Sequence, residues 1–360
     1  MSALESLKNY ISKIKVLDQT WNDKTSEYLE TLAIPQNGLG DLTPVAQKLI
    51  AVNKKFSPQV NSKCVVIMAA DHGIVDEKVS SLPRVTDTIA KNIMNGSSAL
   101  SILAESSGCD IKVVDMGIAG DLKSCVNNDN FFSKFINKTG TKNFLKEPAM
   151  TKAECIESIL TGIEIAEGLS HRYDIFGVGD IGIGNTTSAA ALASTILNLE
   201  VEKVTVAGSG KTVQHWEHKC EVVKKALKVH EFDKKPTVLT AMSTFGGYEI
   251  AAMVGMILGA ASTRTLILID GFTSSVAALC AIKLCPKVHD YLIASHESAE
   301  PGHNLMLRKI RLKPLLKLKM RMGQGVGIPL AMNLVENTAS LIKNLNKADE
   351  LKSRENGFLE

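Results

Sequence analysis

One stretch near the middle of the chain, residues 175–187, constrains the fold more than any other. It reads Ile-Phe-Gly-Val-Gly-Asp-Ile-Gly-Ile-Gly-Asn-Thr-Thr, which predicts a buried strand, a glycine-rich turn and a helix that begins near Asn185. Asn and Thr are common helix N-cap residues, and the small residues 188–194 favour the helix. Glycines let a ligand approach the backbone, and the first amides of a helix attract anions. The turn is therefore typical of a phosphate site, although a tight turn without a ligand has the same pattern.

Short apolar runs followed by polar residues recur along the chain. The predicted strands are 64–70, 111–116, the strand that opens the stretch 175–187, and 201–207, 265–269 and 291–294. Because helical stretches separate them, we predict an α/β fold with a doubly wound parallel, Rossmann-like sheet. The carboxyl ends of parallel strands meet at one edge, where ligands bind. The polar residues expected there are Asp71, Asp180, Asn185, Ser209, Asp270 and Ser295, with Lys211 or Lys219 as the cation for an anion.

Two further features of the pattern bear on organisation. Asp71 and His72 end the first predicted strand, and they either contact a ligand or bond to each other and shape the loop. Residues 2–32 and the segment from about 329 to 347 have a helical period and lie outside the strand–helix alternation. We therefore expect residues 1–55 and 328–360 to form a small helical domain, and residues 56–327 to form the parallel α/β domain.

The composition argues against several classes of function. Of 360 residues, 45% are hydrophobic and 5% aromatic, and the formal net charge is +3, so neither a nucleic-acid nor a membrane partner is expected. The seven cysteines are odd in number and form no Cys-x-x-Cys, which favours free thiols in a reducing cytoplasm. The N-terminus has no apolar core of signal-peptide type, and the apolar segment 250–261 is too short to span a bilayer.

The scattered histidines offer no set with metal-ligand spacing, so no metal is expected. Residues 177–182 also match Gly-x-Gly-x-x-Gly, with Glu200 near the distance at which dinucleotide-binding folds place an acidic residue. That fingerprint normally follows the first strand, whereas two predicted strands precede it here. A dinucleotide-dependent oxidoreductase is therefore the weaker hypothesis, and we expect no cofactor.

Motifs in a fixed order resemble the nicotinate-nucleotide:dimethylbenzimidazole phosphoribosyltransferase family. They are Ala70–Gly73, Gly177–Thr187, Asp270–Phe272, Ser295–Glu300 and Met320–Gly325, and the similarity runs from about residue 30 to 345. The resemblance implies a parallel α/β domain with a small helical domain from both chain ends, in a dimer whose active site lies near the subunit interface. It also implies that an aromatic base displaces nicotinate from nicotinate mononucleotide. The riboside that is formed keeps the 5′-phosphate.

The resemblance assigns roles to individual positions. Gln324 stands where the family has its general-base glutamate, and Asp180 stands where the family usually has glutamate. The substrate-binding positions that it implies are Asp71, Leu82, Ile89, Gly182, Asn185, Thr186, Thr187, Gly208, Lys219, Ser298 and Gly323.

The departures from the family pattern bear on activity. A glutamine amide accepts no proton at neutral pH, so Gln324 is not competent as a base. Leu82 and Ile89 are apolar where the family usually offers Ser and Gln to the acceptor. The early loop Ile34–Gly40 keeps only a proline and the final Leu-Gly of the family's loop.

Three hypotheses follow from these departures. The chain is an active transferase, either a homodimer acting on dimethylbenzimidazole or a member of the heterodimeric branch that glycosylates phenol or p-cresol, with a water held by Asp180 or Gln324 in place of the base. Alternatively, it is the non-catalytic subunit of such a heterodimer, whose related partner performs the chemistry. A third hypothesis is a nucleotide-binding regulator. Loss of the base together with several contacts favours the non-catalytic subunit.

Overall fold

The structure is a computed structural model that describes residues 2–125, 128–208, 212–232 and 234–350. Ser209 and Lys211, two residues expected at the ligand edge of the sheet, lie outside the described residues. So do residues 351–360 of the predicted helical domain.

The described chain is built around a seven-stranded sheet in which every paired strand is parallel. The strands are β1 (Lys63–Ala70), β2 (Cys109–Gly117), β3 (Phe131–Ser133), β4 (Ile175–Ile181), β5 (Leu266–Ile269), β6 (Leu292–His296) and β7 (Pro314–Leu316). Their order is β3-β2-β1-β4-β5-β6-β7, which confirms the predicted doubly wound sheet. From β1 the next strands are added on one side, as β2 and β3, and the later strands are added on the other side, from β4 to β7. The order of the strands therefore reverses between β1 and β4, and ligands bind outside the carboxyl ends of strands at such a switch point.

Helices cover both faces of the sheet. The α-helices of the described ranges are α1 (Ala3–Lys13), α2 (Thr20–Glu30), α3 (Thr43–Asn53), α4 (Thr86–Met94), α5 (Ala99–Ser106), α6 (Lys152–Leu169), α7 (Asn185–Leu197), α8 (Val201–Val204), α9 (Val213–Val229), α10 (Val238–Phe245), α11 (Tyr248–Ser262), α12 (Phe272–Leu284), α13 (Pro301–Lys309) and α14 (Gly327–Asn344). Short 3₁₀ helices span Gly40–Leu42, Gly73–Glu77, Lys123–Cys125 and Pro286–Tyr291.

Some elements differ from the sequence predictions. The predicted strand 201–207 is wrong, because Val201 and Val204 are spaced to bury one face of the short helix α8 and β4 pairs directly with β5. The edge strands β3 and β7 have three residues each, too few to show a period. The helical stretch predicted over residues 2–32 is divided into α1 and α2.

The core is closely packed where α6 crosses α11. A Cβ added at Gly162 would lie 2.0 Å from the carbonyl oxygen of Ala252, and one at Gly255 would lie 1.9 Å from that of Ile159. All but the last residue of α11 are buried, as expected for a helix covered on every side. The two glycines therefore allow the helix backbones to touch.

The two chain ends meet in an apolar cluster apart from the sheet. Leu29 and Leu32 pack there with residues of α3 and with Ile342 of α14, and Leu32 pairs with Lys347 in an antiparallel bridge. Leu7 of α1, in contrast, belongs to the core that covers the sheet. The division of the chain into two domains at the predicted boundaries stays a prediction.

Three classes of feature are absent from the described ranges. None of their helices combines the length and hydropathy needed to cross a bilayer, and no three of their His, Cys, Asp or Glu residues are placed to share a metal ion. The cysteines are free thiols, and each is buried.

Helix α6 allows a matched test of the packing argument. Gly162→Ala should lower the free energy of unfolding by about 1–3 kcal/mol, because its methyl group has no room against α11. Gly168→Ala, at an exposed position of the same helix with nothing within 4 Å of the added carbon, should raise it by about 0.5–1 kcal/mol. Urea unfolding of both variants measures the difference, and equal effects would contradict the packing argument.

Candidate functional site

A cavity of about 340 Å³ opens at the carboxyl ends of β4, β5 and β6. It brings together most of the residues that the sequence singled out, namely Leu82, Ile89, Asp180, Gly182, Asn185, Thr186, Gly208, Ser298, Gly323 and Gln324. Asp270, the segments 271–273 and 321–322, His296 and Glu300 supply other parts of the lining. The position matches the site expected next to the switch point between β1 and β4.

The glycine-rich turn forms one wall of this cavity. Strand β4 ends at Ile181, and Gly184, at φ +94°, is the N-cap of α7, so the helix begins at Asn185 as predicted. A Cβ at Gly182 would lie 2.2 Å from the carbonyl oxygen of Ala70 on the neighbouring strand. The N-terminus of α7 is thereby held at the cavity wall, where its dipole favours an anion.

Other glycines of the same stretch serve packing instead of ligand approach. A Cβ at Gly177 would lie 2.2 Å from Ile328, and one at Gly179 would lie 2.8 Å from the Cα of Gly325. The segment that leads into α14 therefore lies directly on strand β4. This contact carries the Gly323–Gly325 loop over the sheet.

Lys219 lies buried behind the turn. Its Nζ donates to Thr186 Oγ1 at 2.7 Å and to the carbonyl oxygen of Val206 at 3.0 Å. Burial lowers the pKa of Lys219 to about 8, and the Glu300 carboxylate acts in the opposite direction. The ammonium group and the α7 N-terminus together place positive charge at Thr186, which suits an anionic ligand.

Asp180 lies at the end of β4, and the side-chain amide of Asn185 donates to its Oδ2 at 2.5 Å. Burial raises the pKa of Asp180 well above its usual range, and the carboxylates of Glu249 and Asp270 raise it further. A carboxyl group with a raised pKa exchanges protons more readily near neutral pH than an ordinary aspartate.

The loop that carries Gln324 is held by a buried carboxylate. Asp270 accepts hydrogen bonds from the backbone N–H of Gly325 and of Gly327, both at 3.0 Å. Gly323, Gln324 and Gly325 have φ of +68°, +59° and +77°, so the non-glycine residue at the centre adopts a left-handed conformation. The strained loop places Gln324 in the lining of the same cavity as Asp180.

Comparisons with known proteins identify the family. A family model described as "Phosphoribosyltransferase" matches residues 14–352. The nicotinate-nucleotide–dimethylbenzimidazole phosphoribosyltransferase of Desulfotalea psychrophila is 37% identical, over 93% of this chain and 94% of its own length. The enzyme of that name from Clostridium tetani is 36% identical, over 99% and 97%. A crystal structure of the Thermus thermophilus enzyme has a TM-score of 0.86 and 31% identity, covering 93% of this chain and 98% of that one.

The chain belongs to the nicotinate-nucleotide:dimethylbenzimidazole phosphoribosyltransferase family. It is therefore a transferase with the family's α/β fold, and the resemblance drawn from its motifs is confirmed at that level.

Three residues that the family resemblance placed in the site do not line the main cavity, namely Lys219, described above, and Asp71 and Thr187. Asp71 is buried behind it, where its Oδ1 accepts from Thr86 Oγ1 at 2.6 Å and its Oδ2 from the backbone N–H of Ala119 at 2.8 Å. Thr86 Oγ1 also accepts from the backbone N–H of Ile183 at 3.4 Å, so Asp71 supports the turn from behind. Thr187 is buried, and its hydroxyl has no partner among the described residues.

One of the sequence hypotheses was a hydrogen bond between His72 and Asp71, and the structure does not show this bond. The Nε2 of His72 lies 2.7 Å from Glu249 Oε1, and both side chains are buried. Sequence reasoning missed Glu249, although a carboxylate after two glycines at the start of the apolar α11 was an available signal. Its charge acts on Asp180, so it belongs to the electrostatics of the candidate site.

The sequence predictions included Glu300 only as the end of the motif Ser295–Glu300, without a role, and missed His303. Glu300 accepts from the backbone N–H of Ala207 at 3.1 Å and of Gly208 at 3.2 Å, which fixes the loop at the mouth of the cavity. Burial lowers the pKa of His303 to about 3, so the ring is neutral. Because its Nδ1 accepts from the Ser298 N–H at 3.0 Å, the Nε2–H donates to Ser275 Oγ at 3.1 Å.

Lys219 gives a prediction about stability and pH. Its pKa is about 8 in the folded protein and near the ordinary lysine value of 10.5 in the unfolded chain, so between these two pH values the unfolded chain binds more protons. Wild-type stability should therefore rise, relative to Lys219→Met, by roughly 2–3 kcal/mol from about pH 7 to pH 10. Guanidinium unfolding across this range gives the difference. Parallel curves for the two proteins would show that Lys219 titrates normally.

Proposed function

We propose that this chain is a subunit of a phosphoribosyltransferase that transfers the phosphoribosyl group of nicotinate mononucleotide to phenol or p-cresol, releases nicotinate and makes an α-riboside 5′-phosphate for cobamide synthesis. We further propose that this chain is the catalytically weakened subunit of a heterodimer with a related, glutamate-bearing chain. The observation that carries the proposal is the composition of one cavity. The N-terminus of α7 and the apolar side chains of Leu82 and Ile89 line it together with Gln324, which stands at the position of the family's general-base glutamate.

The donor side of the proposal rests on the phosphate-binding groups at the N-terminus of α7. Asn185 and Thr186 at the α7 N-terminus line the cavity, and Lys219 donates to the Thr186 hydroxyl from behind. A helix N-terminus with a nearby ammonium group suits a phosphate dianion. The relatives named above carry nicotinate nucleotide in their names, which supports nicotinate mononucleotide as the donor.

The acceptor side rests on the apolar part of the cavity lining. Leu82 and Ile89 present hydrocarbon to the cavity, and Leu82 is 44% exposed with no ligand present. A phenol ring is apolar apart from one hydroxyl group, so it can pack against these hydrocarbon side chains without losing hydrogen bonds from the ring. A benzimidazole has two ring nitrogens, which lose hydrogen bonds to water if the wall offers none.

The chemistry of the transfer explains why this chain alone is expected to have low catalytic activity. The acceptor oxygen or nitrogen forms a bond to C1′ of the ribose as the bond from C1′ to the nicotinate nitrogen breaks. The acceptor's proton must then leave, and a positioned base contributes about 10²–10⁴-fold to such a step. Gln324 cannot receive that proton, although its left-handed loop is formed and tied to Asp270.

One observation favours a second candidate, an active homodimer that acts on dimethylbenzimidazole. Asp180 lines the same cavity, and its raised pKa brings the carboxyl group closer to the range in which general bases operate. In this alternative Asp180 takes the proton directly or through a water. The full names of the relatives support this acceptor.

The first test is nicotinate release by the purified chain alone, with nicotinate mononucleotide and each of phenol, p-cresol and dimethylbenzimidazole. Release should be slow, and Gln324→Glu should raise it by about 10²–10⁴-fold because a base is restored in an existing loop. Gln324→Met, which keeps the length without the charge, is the control and should not raise it. Rapid release by the wild-type chain would overturn the weakened-subunit proposal. Nucleotide binding without release by any variant would favour a regulator.

A second test addresses Asp180. If it is the proton acceptor, Asp180→Asn should lower kcat by about 10²–10⁴-fold with little change in the donor KM, and the wild-type rate should rise with pH as the carboxyl group ionises. The matched control is Asp41→Asn, at an exposed carboxylate whose partner is Lys313. An unchanged kcat in Asp180→Asn would remove this residue from the chemistry.

A further inference from the structure

A second cavity, of about 370 Å³, adjoins the main one and shares Ser298 and Glu300 with it. Lys317 and Lys319 line the second cavity, and Arg321 lines the main one. We call residues 317–321 the cationic bulge. Its positive charges lead from the outer cavity into the site, and no step of the proposed reaction uses them.

The backbone explains why the lysines face this cavity. The N–H of Glu297 donates to the carbonyl oxygen of Leu316 at 2.7 Å, and the N–H of Ala299 donates to that of Met320 at 2.9 Å. Only Ser298 lies between the two donors, whereas residues 317–319 lie between the two acceptors. The additional residues must leave the plane of the sheet, as in a β-bulge, and such bulges re-aim side chains next to active sites.

The bulge contains a strained lysine. Lys319 has φ +54°, a left-handed conformation that is unfavourable for a residue with a Cβ. Lysines on an edge strand ordinarily protect the edge from pairing with another chain. That role requires neither a left-handed residue nor side chains that line a cavity.

The cations of the bulge are available to a ligand. Lys317, Lys319 and Arg321 are exposed, and none of them takes part in an ion pair with another described residue. The two carboxylates that line the outer cavity already accept hydrogen bonds from the protein. Glu297 accepts from the Asn304 amide at 3.0 Å, and Glu300 accepts from the backbone N–H groups of Ala207 and Gly208.

We propose that the outer cavity is an anion-binding antechamber, in which Lys317 and Lys319 hold an organic phosphate or carboxylate and Arg321 passes it to the site. The proposal rests on the proposed function for the identity of the anion, which is nicotinate mononucleotide. This donor carries a phosphate and a carboxylate, and cations along a cleft raise association rates by roughly 10–10³-fold.

The direct test is NMR of the chain with reductively ¹³C-methylated lysines, which keep their charge. Lys317→Gln and Lys319→Gln assign the two signals. Inorganic phosphate, nicotinate and nicotinate mononucleotide are then added separately. The two signals should shift and saturate with the mononucleotide and with at least one of the simple anions, which shows whether phosphate or carboxylate is bound. Signals of Lys225 and Lys228, exposed on α9, should not move. No shift with any of the three probes would overturn the proposal.

The kinetic test measures association of the mononucleotide by stopped-flow fluorescence, since the Trp216 Nε1–H donates to the Thr205 carbonyl close to Gly208. The double variant Lys317→Gln/Lys319→Gln should associate about tenfold more slowly at low salt, with the difference lost at about 0.5 M salt. Lys225→Gln/Lys228→Gln removes the same charge elsewhere, and an equal slowing there would contradict the antechamber.

The two proposals fail separately. If phosphate or nicotinate shifts the bulge signals while the mononucleotide does not bind, the antechamber stands and the proposed donor is wrong. If the mononucleotide binds the main cavity while the bulge signals do not respond to any probe, the donor stands and the antechamber is wrong.

Discussion

The site depends on the close contact between strand β4 and the segment that leads into α14. Gly177 and Gly179 leave no room for side chains, because Ile328 and Gly325 occupy the space that a Cβ would need. Asp270 completes the contact by accepting from two backbone N–H groups of the same segment. Together these interactions bring Gln324 to the cavity that Asp180 and the α7 N-terminus also line. One packing constraint thus joins parts of the chain that are far apart in sequence.

Much of the fold was predictable from local signals. The strand, turn and helix of residues 175–194 were predicted because apolar runs, glycines and small helix-forming residues follow each other without conflict. The strand predicted over 201–207 failed because Val201 and Val204 suit a buried helix face as well as a strand. The edge strands β3 and β7 and the helix α13 carry too few periodic residues for their type to be read from sequence.

The sequence was sufficient to predict which residues lie at the candidate site, but not which of them line the cavity and which lie behind it. Strand ends and family motifs located the lining, yet sequence gave no means to separate Gly208, which lines the cavity, from Asp71, which lies behind it. Glu249 and Glu300 act through a charge and through backbone amides contributed by other elements. Such roles depend on tertiary neighbours and have no local pattern.

The packing of α14 against β4 also determines when the site can form during synthesis of the chain. The chain is made from its N-terminus, so β1, β4 and the glycine-rich turn emerge long before residues 325–328. Until those residues arrive, β4 has an uncovered groove along Gly177 and Gly179, and the Gln324 loop has no anchor at Asp270. The site is thus completed only when residues 325–328 have been made, well after strand β4, on which they pack.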